Sequence, residues 1–321
     1  MYEKNILVSV ICTAYNHEKY IRSALDGFVM QKTDFAFEVL IHDDASTDKT
    51  AEIIKEYAEK YPNIISPILQ TENQHSKKIS ITNTFLLPKA KGKYIAFCEG
   101  DDFWTDENKL QIQVKFLENN PDYIACVHNT TFHDCSGRKK DGLVVQKNDE
   151  HDVLFEDIVW GMGNAYQTSS LVVRKEYVND MPDFYYTALN YGFGDFPRAI
   201  WYTIVGKVRF FPYNMSTYRY ISTPTSWSAS DHSIPKLIKQ REGIIAMFKQ
   251  VKGHVSYERQ ELVERVITEQ KFYSLDLQKR YKEMFAPEFS NMWKKESFIY
   301  RLKIYVKMYC PWIYTITRKS R

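Results

Sequence analysis

The sequence contains 321 residues, of which 44% are hydrophobic and 26% charged, and its formal net charge is +3. This length predicts one large domain with an appendage, or two domains, and the small net charge argues against nucleic acid as a partner. The five scattered cysteines favour reduced thiols in a cytoplasmic protein. We also expect no secretion signal and no membrane-spanning segment, because the start of the chain has no signal-peptide pattern and no apolar run approaches the roughly 20 residues that cross a bilayer.

Strand-like and helix-like segments alternate through the first part of the chain. Apolar, β-rich runs predict strands at 6–13, 37–41, 64–69, 94–98 and 123–127. Apolar residues at helical spacing predict the intervening helices, of which two cover residues 79–87 and about 107–118. This alternation is typical of βαβ units and a mostly parallel sheet, in which ligands bind at the carboxyl ends of the strands.

The regular alternation stops near residue 129. Gly137 and Gly142 indicate hairpin turns, and 171–173 is a further short strand. Residues 208–213 and 215–221 predict two late strands that flank a turn. The remainder of the chain is helical and rich in charge.

Two acidic motifs follow predicted strands. Glu99-Gly100-Asp101-Asp102 comes directly after the strand at 94–98, and Asp43-Asp44 follows the strand at 37–41. Carboxylates crowded at a strand end repel one another, so we expect a divalent cation there, Mg²⁺ or Mn²⁺, completed by water and substrate phosphates. The second pair lies on the same edge and could accept hydrogen bonds from a base or a ribose. Without a phosphate-loop motif, these features predict a nucleotide-diphosphate pocket.

Several short motifs occur in a fixed order. They are Val8-Ser9-Val10, Ala14-Tyr15-Asn16, Asp43-Asp44-Ala45-Ser46-Thr47-Asp48, Gly92-Lys93-Tyr94-Ile95 and Glu99-Gly100-Asp101-Asp102. In this order and spacing they resemble family 2 glycosyltransferases with the GT-A fold. Three later segments extend the resemblance to about residue 228 and to bacterial members that build surface polysaccharides: Gly194-Asp195-Phe196-Pro197, Tyr218-Arg219 and Ser226-Trp227-Ser228.

The resemblance implies an α/β, Rossmann-like fold with a mostly parallel central sheet and a helical C-terminal extension. We expect a glycosyltransferase domain at 1–225, divided into a nucleotide-binding half at 1–128 and an acceptor-binding half at 129–225. The helical extension would then cover 226–321.

The resemblance also implies roles for individual residues. The donor nucleotide would contact Thr13, Ala14, Tyr15, Asp43, Asp44 and Gly100. Glu99 and Asp101 match the metal-binding D-x-D pair, with Glu in place of the first Asp, and Asp195 falls where the family places its general base. Contacts with the acceptor or the phosphates would come from Asp102, Trp104 and Arg219.

The implied activity is metal-dependent transfer of a sugar, with inversion, from a UDP-sugar to a glycan or lipid-linked glycan. Two other functions remain open: a metal-dependent nucleotidyltransferase, or a nucleotide-sugar-binding protein without catalysis. Each motif also has a simpler explanation. Asp102 could cap a helix, Asp43 and Asp44 could cap the helix that begins near Ser46, and Asp195 could be a turn residue.

The segment 298–321 combines aromatic and aliphatic residues with Lys and Arg. This pattern predicts either a basic amphipathic helix on an anionic membrane, giving peripheral association with the inner face of the cell membrane, or a helix that packs on the protein itself or on a second subunit. A homo-oligomer is therefore one of the outcomes that the sequence allows.

Overall fold

The computed structural model describes residues 5–161, 165–221 and 233–310. Within these residues the strands are β1 (Ile6–Ala14), β2 (Ala36–Asp43), β3 (Ile65–Leu69), β4 (Tyr94–Phe97), β5 (Phe103–Trp104), β6 (Tyr123–Asp134), β7 (Gly142–Leu143), β8 (His151–Asp152), β9 (Val172–Arg174) and β10 (Lys207–Tyr220). The α-helices are α1 (Ile21–Val29), α2 (Thr50–Lys60), α3 (Lys109–Asn119), α4 (Phe155–Gly161), α5 (Glu176–Asn179), α6 (Asp183–Leu189), α7 (Asp195–Val205), α8 (Ile234–Val251), α9 (Tyr257–Leu277), α10 (Ser290–Lys295) and α11 (Phe298–Tyr309).

The strands form one sheet in the order β3-β2-β1-β4-β9-β6-β10-β5. Pairing is parallel from β3 to β4 and between β6 and β10. It is antiparallel where β9 joins β4 to β6 and where the short strands β5, β7 and β8 attach. The predicted α/β fold is therefore present, and its parallel half carries the motifs with which the sequence resemblance begins.

One face of this sheet is closed by helices α1, α2 and α3. Alternate residues of β1 and β2, including Val10, Cys12, Val39 and Ile41, belong to a buried cluster with apolar side chains of these helices, such as Phe28. Alternation along each strand explains why the opposite face carries a different set of side chains.

Two local predictions were wrong. Residues 208–213 and 215–221 do not form two strands around a turn, because β10 continues through this stretch with register shifts between Phe211 and Ser216. The helix expected to begin near Ser46 starts only at Thr50, the first residue of α2.

The chain divides into two compact units. The first contains the described residues up to 182 and from 195 to 221, and thus the whole sheet; the second contains 183–194 and 233–310. The predicted boundary at 225/226 and the Ser226-Trp227-Ser228 motif lie outside the described residues. The division at residue 128 stays a prediction, although β6 runs through it.

The second unit is helical. Its α8 packs along α9, and a separate apolar cluster contains Phe272, Met284, Phe289 and Ile304. Among the residues that the structure describes, no helix is long and apolar enough to span a bilayer.

Candidate functional site

The sequence motifs meet at the carboxyl ends of β1, β2 and β4. Ala14 at the end of β1 lies in register with Asp43 at the end of β2, and the Asp44 amide donates to the Ala14 carbonyl over 3.0 Å. Just beyond β4, the Gly100 amide donates to the Thr13 carbonyl over 2.9 Å. Parallel pairing thus assembles one site from segments that are far apart in the chain.

The residues assigned to the nucleotide differ in what they can offer. Tyr15 is 38% exposed and presents an aromatic ring at this edge of the sheet, whereas Ala14 is buried; Thr13 lies between these extremes. Gly100 has a packing reason to be glycine, since a Cβ there would lie 2.8 Å from Ile21 Cδ1 and 3.1 Å from the Ala14 Cβ. The nearest of these atoms, Ile21 Cδ1, is the end of a flexible side chain, so a side chain at position 100 would require Ile21 to shift.

The carboxylates of Asp43 and Asp44 are each 1% exposed and have partners within the protein. Asp43 accepts hydrogen bonds from the amide and the hydroxyl of Ser46 at 3.1 and 2.5 Å. Asp44 accepts from the amides of Gln74 and His75 at 2.8 and 3.0 Å, one on each oxygen. These two carboxylates therefore fix the loops that follow β2 and β3, and only their second lone pairs remain for a nucleotide.

Glu99 has a different environment. Its side chain reaches solvent, yet desolvation by the surrounding protein and the charges of Asp195 and Asp101 raise its pKa to about 8, with Arg198 opposing the shift. Because the side chain is exposed, the two neighbouring carboxylates are the firmer cause. The structure thus brings three carboxylates together from β4 and α7.

Asp101 belongs to the acidic loop, the segment Glu99-Gly100-Asp101-Asp102 that follows β4. Its side chain is one-quarter exposed, and its Oδ2 is 3.9 Å from Nε2 of His17. Its carbonyl accepts a hydrogen bond from Nη1 of Arg219 at 2.8 Å, and the Arg219 guanidinium lies 4.1 Å from the ring centroid of Phe103. Arg219 was predicted to contact the acceptor or the phosphates. In the structure its guanidinium donates a hydrogen bond to the backbone of the acidic loop.

Two predicted contacts with the acceptor or phosphates were wrong. Asp102 is 5% exposed, and its Oδ1 accepts the Arg219 amide at 2.9 Å, so it neither faces an acceptor nor caps a helix. Trp104 is 1% exposed, donates from Nε1 to the Ser169 carbonyl at 2.9 Å, and packs edge-on against Phe28. Both side chains are buried in the interior of the first unit.

Asp195 is the first residue of α7, and its side chain is 62% exposed. Nη1 of Arg198, one helical turn later, lies 3.3 Å from its Oδ1. The Arg198 side chain is only 7% exposed, and its guanidinium lies 4.5 Å from the ring centroid of Phe97. A buried arginine therefore anchors one oxygen of an otherwise open carboxylate beside the acidic loop.

Sequence reasoning missed His17 and Arg198. Burial lowers the pKa of His17, and its Nδ1 is buried with no hydrogen-bond partner among the described residues. For Arg198, the i,i+3 spacing from Asp195 was the available signal, but no helix was predicted there. For His17, only its place just after a motif could have indicated a role.

The acidic loop offers oxygen ligands for a divalent cation. Within the described residues, no group of three or more His, Cys, Asp or Glu side chains is arranged to hold a metal ion by itself. Glu99 and Asp101 nevertheless fit Mg²⁺ or Mn²⁺, which commonly binds through one or two carboxylates and takes its other ligands from water and substrate phosphates. The raised pKa of Glu99 shows a local excess of negative charge that a cation would offset.

The chain matches one protein-family model and several curated proteins. The model described as Glycosyl transferase family 2 matches residues 9–175. An uncharacterised protein of Mycobacterium tuberculosis is 32% identical over 274 residues, covering 77% of this chain and 69% of its own length. A UDP-Glc:α-D-GlcNAc-diphosphoundecaprenol β-1,3-glucosyltransferase of Escherichia coli, WfaP, is 35% identical over 112 residues, covering 35% of this chain and 41% of its own.

Solved structures with the same fold have lower identity. S. aureus TarS in complex with UDP-GlcNAc superposes with a TM-score of 0.60 at 15% identity, covering 92% of this chain and 78% of TarS. The mannosyltransferase of Pyrobaculum calidifontis, in complex with GDP-Man and Mn²⁺, gives a TM-score of 0.55 at 16% identity and covers 100% of this chain and 85% of its own. The fold is thus that of GT-A-like glycosyltransferase structures.

Proposed function

Because the chain belongs to glycosyl transferase family 2, we propose that it transfers a sugar from a UDP-sugar to a hydroxyl of a glycan or lipid-linked glycan, with inversion, during surface polysaccharide synthesis. The observation that carries this proposal is that Asp101 and Asp195, from the loop after β4 and the start of α7, lie close enough to Glu99 for their charges to add to desolvation in raising its pKa. Such crowding suits a site that binds a cation together with an anionic donor.

The choice of donor rests on the relatives. WfaP is named for a UDP-Glc donor and a diphosphoundecaprenol-linked acceptor, and TarS was solved with UDP-GlcNAc. The mannosyltransferase was solved with GDP-Man and Mn²⁺, which supports use of a divalent metal in this fold. We take a uridine nucleotide as the donor and Mn²⁺ or Mg²⁺ as the cofactor.

The residues of the site then divide the work. Tyr15 and the backbone of Thr13 and Ala14 would line the base, with Asp43 as the side chain nearest to it. Glu99 and Asp101 would hold the cation on the diphosphate. When bound, a divalent cation supplies positive charge that stabilises the departing nucleoside diphosphate. Arg219 keeps Asp101 in place through its carbonyl.

Asp195 is the proposed general base. It would take the proton of the acceptor hydroxyl while the hydroxyl oxygen forms a bond to the anomeric carbon and the bond from that carbon to the diphosphate oxygen breaks. A single displacement inverts the anomeric configuration. Arg198 holds Oδ1 of the base at 3.3 Å and so limits its rotamers before the acceptor arrives.

The test is a donor panel of UDP- and GDP-sugars with the full chain, assayed with Mn²⁺, with Mg²⁺ and with EDTA. We expect metal-dependent release of UDP, and an α-configured donor should yield a β-linked product by NMR. Release of pyrophosphate from a nucleoside triphosphate instead would identify a nucleotidyltransferase. If no nucleotide sugar is bound or cleaved with either metal, the proposal fails.

A further inference from the structure

Helix α11 leaves one apolar face uncovered. Phe298, Leu302, Tyr305 and Tyr309 recur at spacings of four, three and four residues, so they form one stripe along the helix. They are 72%, 50%, 46% and 69% exposed, and Ile299 beside them is 64% exposed. Five large hydrophobic side chains on a helix of 12 residues are far more than the scattered apolar exposure of an ordinary surface.

The opposite face of α11 is fixed to the second unit. Ile304 is fully buried in the apolar cluster of that unit. Tyr300 donates to Oδ2 of Asp276 at 3.0 Å, and Lys307 binds Oδ1 of the same residue at 2.8 Å. These contacts show that α11 packs on its own unit. The stripe therefore faces away from that unit.

Aromatic rings extend the stripe beyond α11. Phe285 stacks on Trp293 with centroids 4.6 Å apart and lies 5.3 Å from Tyr305, and Tyr305 stacks on Tyr309 at 6.4 Å. Rings with an apolar body and a polar tip favour the boundary between lipid headgroups and acyl chains.

The charges on and after α11 favour one kind of partner for its exposed face. From Ser297 to Arg321 the sequence has six Lys and Arg residues and no Asp or Glu. Arg301 and Lys303 flank Leu302, so cationic side chains border the stripe on both sides. A symmetric contact between two copies would place these cations against one another, because each copy offers the same patch. An anionic lipid surface offers the opposite charge and an apolar interior.

We infer that the α11 stripe, defined as Phe298, Ile299, Leu302, Tyr305 and Tyr309, docks the second unit on the surface of an anionic membrane without spanning it. This inference does not depend on the donor, the metal or the reaction. It assigns the outer face of α11 a ligand class, an anionic lipid surface.

The experiment is flotation of the full chain with vesicles of phosphatidylcholine alone and with vesicles that also contain phosphatidylglycerol. We expect binding only to the anionic vesicles, weakened by added salt. Phe298→Glu/Leu302→Glu should lower the lipid partition coefficient roughly a hundredfold or more, because two apolar side chains lose their burial. The matched control is Ile234→Glu/Tyr257→Glu, which adds the same charge at exposed apolar positions of the same unit, and it should bind like the wild type.

Three results would overturn the inference. The wild type could fail to float with phosphatidylglycerol vesicles, or the stripe variant could float as well as the control. A wild-type dimer that the stripe variant converts to a monomer, without vesicle binding, would assign the stripe to a second copy. Circular dichroism of both variants shows whether they are folded, and the more conservative Phe298→Ser/Leu302→Ser variant replaces the first one if it is not. Donor cleavage in solution is read separately, so a failure of the enzymatic proposal stays distinguishable.

Discussion

Two sets of carboxylates in the first unit differ in their burial and in their hydrogen-bond partners. Asp43, Asp44 and Asp102 are buried and accept hydrogen bonds from the protein itself. Glu99 and Asp195 reach solvent, and no described residue donates a hydrogen bond to the side chain of Glu99. The first set holds the loops through internal hydrogen bonds, whereas the second set is open to solvent. Acidic residues in a motif therefore need to be sorted by their partners before they are given a role.

The largest effect should come from Asp195. Asn at this position keeps the size and loses the basicity, so kcat for transfer should fall by about 10²–10⁴-fold, the usual contribution of a general base, while donor affinity stays within twofold or so. Steady-state kinetics and calorimetric titration of the donor measure the two quantities. Asp183→Asn is the control, because Asp183 is also the first residue of a helix. Loss of donor binding in the Asp195 variant would contradict its assignment as the base.

Asp101→Asn should weaken donor binding in the presence of Mn²⁺ by roughly 10- to 100-fold, comparable to losses at metal sites. The reason is that the variant removes one of the two carboxylates that can face the cation. Titration of the donor with Mn²⁺ and with EDTA checks this, and the two curves of the variant should nearly coincide. The control is Asp122→Asn, an exposed carboxylate at the start of β6. An unchanged metal dependence would remove Asp101 from the site.

Stability separates the two sets directly. Asp44→Asn leaves one of the two amides that donate to the buried Asp44 carboxylate without an acceptor, so the free energy of unfolding should fall by about 1–3 kcal/mol. Glu99→Gln removes a carboxyl that takes up a proton on folding near neutral pH, because its pKa rises to about 8 in the folded protein. The melting temperature of the metal-free variant should therefore be unchanged or higher. Equal destabilisation of the two variants in thermal unfolding would show that the contrast between the sets is wrong.

The smallest expected effect concerns Lys109, a buried lysine at the start of α3, and it depends on pH. Lys109 is 0% exposed, donates to Oε1 of Gln113 at 2.8 Å, and burial lowers its pKa to about 7. Between pH 8 and 9.5 the unfolded chain therefore binds a proton that the folded chain does not. From Lys109 alone, the free energy of unfolding should gain up to about 1.4 kcal/mol per pH unit, a contribution that the raised pKa values of the buried thiols of Cys12, Cys98 and Cys126 oppose.

Denaturant unfolding at several pH values measures this slope. Lys109→Met should lower this slope relative to the wild type, while Lys115→Met, at an exposed position of the same helix, should keep it. Equal pH slopes for the wild type and Lys109→Met would contradict the assigned state of Lys109.

Much of the first unit was predictable because its signals are local. Apolar runs located β1, β2, β4 and the start of β6, and helical periodicity located α1 to α3. β10 was misjudged, since Pro212 and Asn214 read as a turn while pairing with β6 carries the strand through a bulge. Helix α2 starts later than expected, since Ser46 bonds to Asp43 instead of capping.

The chain by itself determined the order of the strands along the sequence, the acidic motifs that follow them, and the family to which these belong. Only the tertiary structure decided which acidic side chains are buried and which reach solvent. Parallel pairing puts Asp43 and Glu99 at one edge of the sheet. The folding of other segments decides which acidic side chains have partners: the amides of Gln74, His75 and Arg219 donate to Asp44 and Asp102. These hydrogen-bond partners are distant in sequence and do not change the local sequence pattern around each carboxylate. For that reason the burial of each side chain could not be predicted from the sequence.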